Sequence, residues 1–157
     1  MSQENVEAIR ELFDRFGEIE FERLREALET SSSLVEAAPK MGDLGRWHLD
    51  HLDPKIELDA SAMPTFTEGN RAHGHQGWFE FWRSWLIPWE RFKYEPKRWR
   101  DAGDRVVVES VQRGWLASGL EYSTPINNVW TFDGERVIRM QMFITWEEAL
   151  EAAGLSE

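Results

Sequence analysis

The chain has 157 residues, no cysteine, and 29 acidic against 18 basic side chains, a formal charge of −11. That length suits one domain with a real core. The missing thiols exclude a disulfide framework, a thiolate nucleophile and cysteine-ligated metal or iron–sulfur sites, and the negative field opposes nucleic-acid phosphates.

The opening segment places Val6, Ile9, Phe13 and Phe16 at steps of three, four and three, with Leu12 beside them, which predicts an amphipathic helix capped by Ser2 or Asn5. Phe21, Leu24 and Leu28 predict a second helix. The stretch TSSSLVEAAPKMGDLG, broken by Pro39, Gly42 and Gly45, reads as a loop, either a lid or a surface insertion. RWHLDHLDP reads as one or two helical turns ended by Pro54 and followed by a short strand, in which Ile56 and Leu58 alternate with Glu57 and Asp59. Residues 61–77 read as a loop.

Trp78, Trp82, Trp85 and Trp89 then recur at steps of four, three and four, a helical stripe of indoles that Pro88 should end or kink. From Phe92 onward the pattern changes to strands. FKYEPKRWR, RVVVESVQRGWL, LEYSTPINNVWTF and RVIRMQMFIT are separated by the turn signals DAGD, ASG and DGE and predict an antiparallel meander. WEEALEAAGL predicts a terminal helix closed by Gly154. Helices ahead of a meander give an α+β domain, with the helical stripes packed on one sheet face. A bent sheet wrapped in this way encloses a cone whose mouth is a natural ligand site.

Strand phase assigns the inner face. Ile126, Asn128, Trp130 and Phe132 should point in, as should Ile138, Met140, Met142 and Ile144, and Val106, Val108, Ser110 and Gln112. Strict alternation sends Asp59 outward with Glu57, and a bulge after Leu58 would turn it inward, where apolar walls would raise its pKa. His73 is a second titratable candidate, and Phe79 and Trp82 are candidate chamber walls, against the plain alternative that the indoles are core. Val107, Val111, Trp115 and Phe143 form an apolar outer sheet face suited to a homodimer. Arg91, Lys93, Lys97, Arg98 and Arg100 form the one basic cluster, and their spacing suits a solvated strand as well as a groove.

The order helix, helix, strand after LDP, helix opening GHQGW, four strands with VWTFDGERV and a closing EALEAAGL resembles the nuclear transport factor 2-like superfamily, and within it the SnoaL-like proteins. The resemblance spans nearly the whole chain, read as one domain over residues 1–157 with an atypical helix–loop insertion at about 18–43. It implies a cone that serves either as a cofactor-independent acid/base enzyme (isomerase, cyclase, or hydratase/dehydratase type) on an apolar oxygenated metabolite, or as a non-catalytic ligand-binding or dimerisation module. In ketosteroid isomerase relatives the general base is an Asp at the end of the corresponding strand, a position Asp59 matches. Phe13 stands at the position resembling the oxyanion-hole Tyr, and Asn128 at that of its protonated Asp, so half of that oxyanion hole is missing. An epoxide-hydrolase relay would find at best two members, Asp59 and Arg98. The resulting expectation is catalysis by Asp59, His73 and Asn128, with substrate contacts from Phe13, Phe79, Trp82, Ser110, Gln112, Trp130, Met140 and Met142. The expected partner is a small apolar ligand with no metal or cofactor. The expected assembly is a homodimer through the outer sheet face, with no nucleic acid and no membrane, in the cytoplasm.

Overall fold

A computed structural model describes residues 2–64 and 70–155. Helices α1 (Ser2–Glu18) and α2 (Phe21–Glu29) come first, followed by α3 (Leu34–Ala37), a 3₁₀ turn (Ala38–Met41) and α4 (Asp43–His51). Strands β1 (Leu52–Asp59) and β2 (Arg71–His73) lead to α5 (Gly74–Leu86). Strands β3 (Arg91–Asp101), β4 (Arg105–Trp115), β5 (Glu121–Asp133) and β6 (Arg136–Phe143) precede α6 (Trp146–Ala152). The six strands form one curved, unclosed sheet in the order β2-β1-β6-β5-β4-β3. The predicted meander is antiparallel throughout, but β1 joins its free edge parallel to β6, so the sheet is mixed.

The segment expected to be a loop is instead helical. Ser33 caps α3 by accepting from the Glu36 amide, while Glu36 Oε1 reaches back to the amide and hydroxyl of Ser32, so polar residues that resemble loop chemistry here satisfy the orphan donors of a helix start. Leu34, Ala37, Ala38 and Met41 are buried. Gly45 explains how closely the pieces pack, because a Cβ there would sit 1.9 Å from the Ala38 carbonyl oxygen. The expected loop over 61–77 also yields the short strand β2, and α5 starts at Gly74. Asn5 is not a helix cap; its amide donates to the Gly103 carbonyl at 3.4 Å.

Inner-face assignments hold along β4 and β5 and change along β6. Thr131 pairs with Arg139 but Phe132 pairs with Val137, a bulge at Ile138 that turns Val137 into the core and leaves Ile138 half-buried. The main core fills the space between the inner face and helices α1 to α5. On the outer face α6 lays Trp146, Ala149 and Leu150 over Val107 and Val129. A capping box between Thr145 and Glu148 starts that helix. Much of the apolar outer face expected to be free for a second copy is therefore covered by the chain itself. The remainder, around Val111 and Trp115, is half-buried, with the Arg91 guanidinium 4.4 Å from the Trp115 ring centroid.

Candidate functional site

Between the helices and the inner sheet face lies a cavity of about 100 Å³. Helix α1 contributes Leu12, Phe13 and Phe16, and α2 contributes Leu24 and Leu28. Leu34 and Met41 lead to Leu44 and His48 on α4, and α5 adds Trp78, Phe79, Trp82 and Leu86. The sheet supplies Tyr94, Asn128, Trp130 and Met140. Neither Asp, Glu, Lys nor Arg is among these residues.

Of the residues singled out in the sequence, Phe13, Phe79, Trp82, Asn128, Trp130 and Met140 come together on this wall. The Asn128 amide donates to the Met140 sulfur at 3.4 Å, a weak bond that leaves most of its capacity unused. Met142 is buried in the core behind the wall. Ser110 is fully buried, and its hydroxyl is committed to the Ile126 carbonyl at 2.9 Å. Gln112 is also fully buried, outside the lining.

Asp59 is placed elsewhere. It lies with Glu57, Arg71, His73 and Arg139 in an outer crevice. Alternation along β1 holds without the bulge that would turn Asp59 inward: Ile56 and Leu58 are buried and Glu57 is exposed. Ser61 binds Asp59 Oδ1 through its hydroxyl at 2.6 Å and its amide at 2.9 Å, and the guanidiniums of Arg71 and Arg139 stand 3.7 and 3.8 Å from the carboxylate. Burial pushes the Asp59 pKa up, but these hydrogen bonds and cations together outweigh it and hold the group below its ordinary value. The expected general base is thus a fixed surface anion with no access to the chamber. His73, the residue before α5, is exposed in the same crevice.

The titratable groups in the lining are His48 and Tyr94, neither of which the sequence reading selected. His48 Nδ1 lies 2.8 Å from the Leu44 carbonyl, which can only accept, so Nδ1 carries the proton and Nε2 keeps its lone pair. Burial lowers its pKa to about 4, and the imidazole is neutral at physiological pH. Burial pushes the Tyr94 hydroxyl up, so it stays protonated. A signal for this part of the wall does exist in the sequence. Leu34, Met41, Leu44 and His48 follow one another at seven, three and four, a helical stripe masked by Pro39, Gly42 and Gly45. Among the described residues, no group of three or more His, Asp or Glu could hold a metal ion, and no helix is long and apolar enough to cross a membrane.

A curved sheet wrapped by helices around an apolar chamber is the architecture of the NTF2-like pocket proteins. The SnoaL-like domain family matches residues 35–140, more than half of the chain, and the protein belongs to that family. Solved structures agree on the fold. A putative SnoaL-like polyketide cyclase from Jannaschia sp. CCS1 has a TM-score of 0.63 at 16% identity, over 90% of this chain and 85% of that one. An NTF2-like protein of unknown function from Burkholderia pseudomallei K96243 has a TM-score of 0.59 at 17% identity, over 94% and 95%. TerC, co-crystallised with polyporic acid, has a TM-score of 0.55 at 22% identity, over 68% and 85%. No curated protein sequence matches the chain.

Proposed function

We propose that this protein binds a small, uncharged, largely apolar molecule in the chamber between α1, α2, α4, α5 and the inner sheet face. One observation carries the reading: a cavity of about 100 Å³ is lined mainly by aliphatic and aromatic side chains, with no formal charge among the described residues. An engineered apolar cavity of about 150 Å³ stays dry and takes up benzene, so a space of this order suits a single small ring. Burying an ion there without a partner would cost far more than its contacts return.

Binding is preferred to acid/base catalysis because, among the described residues, the chamber holds no carboxylate, and its one imidazole is too weak a base to take a proton readily near neutral pH. The lone pair on His48 Nε2 is the single feature that favours a second reading, proton transfer at a bound carbonyl compound.

Calorimetric titration of the purified protein with cyclohexanone tests the first reading. Saturable binding is expected, and Leu28→Trp, which fills the chamber with an indole, should abolish it while the circular dichroism spectrum is retained. Absent or non-saturable binding in the wild type, or full binding in the filled variant, would refute it. If turnover of any carbonyl probe were found and lost in His48→Leu, with binding intact, the catalytic reading would replace it.

A further inference from the structure

Two facing side chains on the inner sheet face leave their polar atoms without a partner. Gln112 is fully buried, and neither its amide nitrogen nor its carbonyl oxygen has a hydrogen-bond partner among the described residues. The hydroxyl of Tyr94 is likewise buried and without a partner. The two are not scattered defects. Tyr94 and Gln112 are directly opposite residues on the antiparallel strands β3 and β4, so their side chains leave the same face of the sheet about 5 Å apart at Cβ. Tyr94 is itself a chamber wall, and its ring meets Phe13, Phe16, Trp82 and Phe92 at centroid distances between 5.2 and 6.4 Å.

Each orphaned buried polar group costs about 1–3 kcal/mol, and a leucine at position 112 would avoid the cost altogether. Ser110, two residues earlier on the same face, shows that a polar side chain there is able to find a backbone partner, since it takes the Ile126 carbonyl. Gln112 and Tyr94 instead leave three hydrogen-bonding atoms unused beside a chamber whose other polar groups include His48, the Asn128 amide and the unpartnered indole N–H groups of Trp82 and Trp130.

We propose that the Tyr94 hydroxyl in the chamber wall and the Gln112 carboxamide, its cross-strand neighbour just outside the lining, together form the polar end of the binding site and bind the oxygen of a neutral ketone-, quinone- or alcohol-type ligand. This rests on the chamber being the binding site. The donors are the protonated phenol and the carboxamide N–H, and the carboxamide oxygen supplies an acceptor for a ligand hydroxyl. With no cation in the lining, the pair suits an uncharged oxygen and not a carboxylate. A ligand carbonyl docked here would have its ring against Phe13, Trp82 and the aliphatic wall of α2.

The test compares cyclohexanone with methylenecyclohexane, which has the same shape and no acceptor oxygen. The wild-type chain should bind the ketone about tenfold more tightly, the yield of one or two good hydrogen bonds. Tyr94→Phe and Gln112→Leu should each cut that preference to about threefold or less, without weakening methylenecyclohexane binding and without lowering Tm. Equal binding of the two probes by the wild type, or a preference unchanged in both variants, would overturn the assignment and leave the pair solvated by a trapped water only. Failure of both probes to bind would remove the chamber as a binding site, and this inference with it.

Discussion

Two side chains of opposite placement set how the protein responds to acid. His48 is held neutral by burial, with its pKa lowered from 6.5 to about 4. Between those values the unfolded chain takes up a proton that the folded chain refuses, so this contribution is fully present above pH 6.5 and is lost as pH falls toward 4. A shift of that size corresponds to no more than about 3–4 kcal/mol. Asp59 acts lower on the scale. Its folded pKa lies below the ordinary carboxylate value, so its contribution is present above that value and is lost as pH falls through the folded pKa. Urea unfolding between pH 4 and 7 should therefore show stability declining with acid in the wild type, and His48→Leu should flatten most of the slope. An unchanged slope in that variant would show that the imidazole is not buried as described. The same two residues illustrate what the sequence concealed. The alternation of Ile56 and Leu58 with two acids already pointed Asp59 outward, and only the resemblance to ketosteroid isomerases pulled it inward. His48 was overlooked as a wall residue because Pro39, Gly42 and Gly45 masked its helical stripe and the other wall residues come from distant elements.

Helices α3 and α4 and the 3₁₀ turn show the same contest at the next scale. Three serines, a proline and two glycines resemble a loop composition, yet Ser33 caps α3, the proline opens the 3₁₀ turn and Gly45 lets two backbones touch. A methyl group at position 45 would lie 1.9 Å from a backbone oxygen that cannot swing away. Gly45→Ala should therefore lower stability by at least about 1–3 kcal/mol through overpacking, although alanine is the better helix former. Thermal unfolding checks the sign, and a higher Tm would contradict the packing described here. By contrast, the tryptophan helix, the meander and the DGE hairpin were plain in the sequence, since each carries its own periodicity and turn residues. β2 was missed because three residues are too few to display a period.

Over the whole molecule, charge and cavity act together. A net charge of −11 surrounds a chamber whose wall holds no formal charge among the described residues, so both the long-range field and the desolvation cost oppose an anionic ligand. Cyclohexanecarboxylate should accordingly bind at least about 100-fold more weakly than cyclohexanone at pH 7, a deficit of about 3 kcal/mol or more. Comparable binding of the two in calorimetry would reveal a cation in the wall that the structure does not place there. The sequence by itself determined the α+β class, the order of the longer elements and the inner faces of β4 and β5, because period, turn chemistry and chain order are local properties. Only the tertiary structure decided that Asp59 is a clamped surface anion, that a bulge exchanges Ile138 for Val137, that α6 covers the outer face, and that His48 and Tyr94 meet at one chamber with Gln112 buried opposite Tyr94. Those outcomes depend on register and on contacts between distant segments, which no window of sequence contains.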